Sequence, residues 1–127
     1  MMKLGCMSLS YKDQFAVGEM DLVQFIDKAY ELNLDGIDIH TRAFASMDAA
    51  YLRDIRMRCL KRGLAISYIG ISNNFGRPES ELQEALEEVK KWVDVAAFMG
   101  VPLVRIFAAW IPEGKPEEQV WARMMPC

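Results

Sequence analysis

One histidine occurs in the chain, His40, and it closes the run Gly36, Ile37, Asp38, Ile39, His40 before Thr41 and Arg42 follow at once. An acid, an imidazole and a guanidinium so close together could move a proton, hold hydroxyls or face an anion. Alternation sharpens the picture, because Ile37 and Ile39 of an extended run share one face and Asp38 and His40 the other. If the isoleucines pack on helices, the acid and the imidazole face the opposite side of a sheet. Arg105, between Val104 and Ile106 in the run PLVRIF, is a second isolated charge in a β-rich stretch. Its natural counter-ion is Asp38, and a structural ion pair, both members pointing inward, is the expectation for these two rather than catalysis. For His40 two readings stay open, a hydrogen-bonded mouth residue without chemistry and a substrate contact.

Other candidates cluster after apolar runs. Tyr11 follows the first, Asn73 and Asn74 the third, and Trp110 the fourth. In SNNFG the asparagine amides can grip hydroxyls or form a turn. Asn73 is the better ligand candidate and Asn74 the turn former. Phe75, Phe107 and Trp110 could wall a pocket of sugar size, although aromatics in such places often serve the core. Tyr11, His40, Asn73 and Trp110 are therefore the expected substrate contacts, with no catalytic residue and no metal ligand assigned in this chain. Cys6, Cys59 and Cys127 are odd in number and far apart, which gives neither a disulfide framework nor a zinc site. Cys59 reads as a small core residue. The sequence contains no GxGxxG, Walker or HExxH motif and no Ser-His-acid constellation.

These residues need elements to position them. The segment 21–33 places Leu22, Phe25, Ile26, Ala29 and Tyr30 on one face, with Asp21 and Gln24 as a capping pair. A second helix is predicted over 48–62, stopped by Gly63, and a third over 81–99, stopped by Gly100. Pro116, Glu117 and Glu118 open a fourth. Between them lie β-rich runs at KLGCMSLS, GIDIH, LAISYIGIS and PLVRIF. Strand and helix alternate, so the strands must run parallel, with the helices as crossovers. The repeat is roughly 30–35 residues, one βα unit each. Every one of the four runs turns polar at its C-terminal end, where such folds keep their chemistry.

With 127 residues, 52% of them hydrophobic, the chain can bury one core and is too short for two. Fifteen basic against 18 acidic residues, a net charge of −3, offers no footprint for nucleic acid or an anionic membrane. Neither a signal-peptide pattern nor a run of membrane-spanning length is present, so a cytoplasmic protein is expected.

The stretches KLGCMSLSY, LVQFIDKAYELNLDGIDIH, LAISYIGISNNFG and VPLVRIFAAW together resemble the N-terminal half of the xylose isomerase-like TIM-barrel superfamily, the sugar phosphate isomerases and epimerases. The resemblance implies an α/β fold made of four βα units of a (β/α)8 barrel, strands in the order 1-2-3-4 with outer helices. Residues 1–127 would then be a half-barrel domain truncated in its fourth helix, since a whole barrel takes about 250 residues. It further implies a divalent metal (Mn, Mg, Co or Zn) in the full-length protein, none held by this chain, and proton transfer on a small sugar or cyclitol through an enediolate. Inosose dehydratases and apurinic endonucleases of the same fold are alternatives, as is a noncatalytic oligomerising half-barrel. Asp38 matches the acid of the family's second-strand motif, His40 the mouth position beside it, and Arg105 the inward arginine of the fourth strand. Self-association is expected because the first and fourth strands would each leave an unpaired edge.

Overall fold

The computed structural model describes residues 2–111 and 113–126. Four strands, β1 (Gly5–Met7), β2 (Gly36–His40), β3 (Ala65–Gly70) and β4 (Val104–Arg105), form one sheet in the order β1-β2-β3-β4, every neighbouring pair parallel. Among the described residues five α-helices accompany them: α1 (Lys12–Ala16), α2 (Leu22–Glu31), α3 (Ala49–Lys61), α4 (Glu79–Met99) and α5 (Glu117–Met124). Among the described residues no helix is long and apolar enough to cross a membrane.

Local sequence explains where the long helices begin and end. Asp21 caps α2 reciprocally: its carboxylate accepts the Gln24 N–H, and the Gln24 side chain accepts the Asp21 N–H, each at 2.8 Å. Such a cap contributes about 1 kcal/mol. Beyond α3 and α4 the chain turns through Gly63 (φ +68°) and Gly100 (φ +69°), left-handed positions that a Cβ would strain. Two details differ from the sequence expectation. The first β-rich run gives way after Met7 to a 3-10 turn at Ser8–Tyr11 and then α1, so SLS is helical rather than extended. Tyr30, expected on the apolar face of α2, is 57% exposed, and its ring lies near the Arg62 guanidinium.

The core lies on one side of the sheet. Ile37, Ile39, Ile69 and Ile71 are fully buried against Phe25 and Ile26 of α2, Ile55 and Cys59 of α3, and Trp92 and Met99 of α4. Burial pushes the Cys59 thiol up to about 11, opposed only by the nearby Arg62 charge, so it packs as a neutral side chain. Each fully buried large side chain contributes about 1.5–3 kcal/mol. With the isoleucines committed to the helices, the alternate residues of the strands are left on the other face. That face carries the polar groups.

Candidate functional site at the C-terminal strand ends

Strand register sets the geometry. Met7 lies beside Asp38, and His40 beside Gly70, which in turn lies beside Arg105. Between the pairs Ile37–Ile66 and Ile39–Ile69, β2 spends one residue, Asp38, and β3 spends two, Ser67 and Tyr68. This β-bulge disturbs the ladder beside Asp38, and bulges of this kind re-aim side chains near sites.

His40 is 1% exposed and held from three directions. Its N–H donates to Ser8 Oγ at 2.9 Å, its Nδ1 accepts the Arg42 N–H at 3.2 Å, and its Nε2 lies 2.9 Å from Ser72 Oγ. The Arg42 contact follows from local structure, because His40 is the N-cap of a 3-10 turn at Thr41–Ala43. A backbone N–H can only donate, so Nδ1 carries a lone pair and the proton of the neutral ring sits on Nε2. Nε2–H therefore donates to Ser72, which leaves the Ser72 hydroxyl hydrogen free for another acceptor. Burial first, then the Arg42 and Arg105 charges, lower the His40 pKa below its ordinary 6.5 and keep the ring neutral.

Ser8, His40 and Ser72 follow or end three successive strands, and each is 32 residues from the next. One βα repeat thus delivers each member to the same level of the sheet.

Asp38 and Arg105 do not form the expected ion pair. Register explains why, since Arg105 lies level with His40 and Gly70 while Asp38 lies two residues lower on β2. Asp38 is half-buried, hydrogen-bonds with Ser67, and has a pKa raised by burial against the lowering effect of that bond. Arg105 instead lies over the rings of Phe107, 4.5 Å from the centroid, and Tyr68, 6.0 Å away. Its Nε is buried without a hydrogen-bond partner. Gly70 makes room for it, because a Cβ there would come within 3.0 Å of Arg105 Nη2.

Three further candidates make contacts within the protein. Asn73, 2% exposed, donates from Nδ2 to the Phe107 carbonyl and accepts the Phe107 N–H at 2.8 Å, so its amide extends the β3–β4 ladder as a missing backbone pair would. Tyr11 turns its ring edge-on to Phe25 of α2, 5.8 Å between centroids, and packs on the core. Trp110 is 55% exposed and tilts against Phe107, at 5.0 Å. Asn74 is a turn former: its Oδ1 accepts the N–H groups of Gly76 and Trp110. Ser8 and Ser72 are the site members that a search for rare residue types passes over. The 32-residue spacing on either side of the single histidine is the signal that finds them.

Similarity to known proteins agrees with this architecture. A family model, xylose isomerase-like TIM barrel, matches residues 26–127. The chain belongs to that family. D-Psicose 3-epimerase with D-tagatose, from Clostridium cellulolyticum H10, matches with a TM-score of 0.79 and 17% identity over 98% of this chain and 45% of its own. The probable 3-DHS dehydratase AsbF involved in petrobactin synthesis, from Bacillus anthracis, matches at 0.74 and 17% over the same shares. A xylose isomerase domain protein from Planctomyces limnophilus matches at 0.64 and 12%, over 92% of this chain and 45% of that one. The chain spans less than half the length of these family-fold structures, and its four parallel strands are a partial TIM barrel. No curated protein matches it.

Proposed function

We propose that this chain supplies the first four strands of an enzyme site that moves a proton between neighbouring carbons of a sugar or cyclitol. The observation that carries the reading is the convergence of Ser8, His40 and Ser72 at one end of three adjacent strands. The epimerase and dehydratase among the similar structures are consistent with it. Ser72, which is exposed, offers its hydroxyl hydrogen to a carbonyl or hydroxyl oxygen of the ligand, and His40 is the residue that positions it. In the reaction the proton leaves the carbon beside the carbonyl, its electron pair passes onto the carbonyl oxygen to give an enediolate, and a proton returns to a carbon of that pair. A hydrogen bond from Ser72 to that oxygen strengthens as negative charge develops on it. The acid and base that carry the proton are assigned to strands outside this chain.

A divalent metal goes with this reading at the level of the family, and the residues present here do not fit one. Both ring nitrogens of His40 are engaged, Arg42 and Arg105 add positive charge around it, and Asp38 lies a register step away. Among the described residues no three His, Cys, Asp or Glu gather as a metal set. Hard cations want several convergent oxygens.

The test is a two-dimensional amide NMR titration of the chain with D-fructose. Shifts concentrated at Ser8, His40 and Ser72, weakened in Ser72→Ala, are the expected result. Shifts confined to the opposite, N-terminal ends of the strands would refute the reading, as would none at saturating sugar.

A further inference from the structure

The sheet ends in two open edges, β1 and β4, and the bonds to their neighbours fix which backbone groups each edge presents. Along a strand the N–H and C=O of successive residues point alternately to one side and the other. Ile69 N–H donates to the Leu103 carbonyl and Ile71 N–H to the Arg105 carbonyl, so Leu103 and Arg105 face β3 while Val104 and Ile106 face outward. On β1 the Leu4 carbonyl accepts the Asp35 N–H, so Leu4 and Cys6 face β2 while Gly5 and Met7 face outward. Each edge thus presents two donors and two acceptors, of which the Met7 carbonyl meets the Cys6 thiol at 3.6 Å, a weak contact. Apolar side chains flank both edges: Met2 and Leu4 precede β1, and Leu103, Ile106 and Ile111 surround β4, all of them exposed. They hold on the order of 600 Å² of accessible surface, and with the strand backbones added this approaches the roughly 800 Å² per partner of a stable interface.

We propose that a second copy of this chain occupies both edges, β4 of each copy pairing in parallel with β1 of the other to close an eight-stranded barrel. Three observations select this occupant. The edges are complementary, because a strand laid beside β4 must turn donors and acceptors back toward Val104 and Ile106, as Gly5 and Met7 of β1 do. Every neighbouring pair in the sheet is parallel, and a half-turn about the barrel axis keeps all strands pointing one way, so two copies make two identical joints and leave no edge. The count also agrees, since a closed barrel of this kind takes eight strands, and the chain holds four and spans 45% of the similar epimerase. The pair sets two Ser8–His40–Ser72 clusters around one mouth. The pairing is a property of this chain by itself and does not rest on the proposed reaction.

Sedimentation velocity of the whole chain over a dilution series should show one two-chain species that dissociates on dilution. Hydrogen exchange at the same concentrations reads the joint, with the amides of Gly5, Met7, Val104 and Ile106 slowed at least about tenfold on association. Ile106→Pro removes an outward N–H and no inward bond, and Ile106→Lys puts a charge on the edge; each is expected to raise the dissociation constant at least about tenfold. Leu60→Lys changes an exposed residue of α3, away from both edges, and should leave it unchanged. Circular dichroism checks the fold of all three variants, and Ile106→Lys decides where proline disturbs β4. A monomer throughout the series or assembly that grows past two copies would overturn the proposal. So would exchange slowed only away from the two edges, or pairing that Leu60→Lys abolishes and both Ile106 variants keep.

Discussion

The two sides of the sheet's polar end are built differently. Around β2 and β3 the strands are locked by fully buried isoleucines, and the His40 N–H and both of its ring nitrogens are satisfied within the protein. Around β4 the strand is two residues long, Arg105 Nε is buried without a partner, and Leu103, Ile106, Trp110 and Ile111 are exposed. A site needs a rigid frame, and only the first region has one. The second has the surface of an element that finishes packing against something else: an open edge, unspent apolar area and a buried guanidinium nitrogen without a hydrogen-bond partner.

The largest contrast should appear on truncating one aromatic from each region. Phe25→Ala, in the core under β2, is expected to cost about 3–5 kcal/mol and to unfold much of the chain at ambient temperature. Trp110→Ala should stay within about 0.5 kcal/mol in a urea titration. Similar losses at both places would remove the distinction. Next in size is Asn73→Ala, which strips both amide bonds from the Phe107 backbone and leaves that pair unsatisfied, at about 2–3 kcal/mol. Hydrogen exchange should then speed up at Ile71 and Phe107 and stay unchanged at Ile37 and Ile39. Acceleration spread evenly over all strands would mean that the two regions form one cooperative unit.

Stability should also depend on pH through His40. Its folded pKa is depressed, so the unfolded chain binds more protons wherever the pH lies between the folded value and the ordinary 6.5. The contribution is whole above 6.5, falls as pH drops toward the folded value, and levels off below it. His40→Gln should flatten that part of the urea-midpoint profile, and an unchanged slope would mean that another group carries it. Asp38 has the opposite sign and the smallest effect. Its folded pKa is raised above 3.8, so ionisation opposes folding as pH rises through the folded value. Asp38→Asn should therefore raise the midpoint slightly at neutral pH and leave it unchanged below 3.8. A loss at neutral pH would show that the carboxylate charge is needed where it sits.

Much of this was legible in residues 36–40. Alternation put Ile37 and Ile39 on the helix side, and the Gly63 and Gly100 stops with the Asp21–Gln24 cap located the long helices. Side-chain partners were not legible, because they depend on register. An extra residue in β3 and a two-residue offset separate Asp38 from Arg105, and nothing local in either run announces that offset. The partners of Asn73 were hidden for a related reason: an amide in a turn-rich stretch looks free until the backbone pair it completes, 34 residues away, is known. The 3-10 turn after Met7 escaped because SLS is as compatible with a strand as with a turn.

The central claim is that His40 is a neutral imidazole whose Nε2–H aims the Ser72 hydroxyl at a ligand. Because the chain has one histidine, its ring nitrogens give a single set of signals in a long-range ¹H–¹⁵N spectrum. The account predicts the Nε2–H tautomer at neutral pH, an apparent pKa below 6.5, and a change in the Nε2 signal when D-fructose is added that Ser72→Ala abolishes. A charged ring at neutral pH, an Nδ1–H tautomer, or Nε2 signals indifferent to the sugar would contradict it.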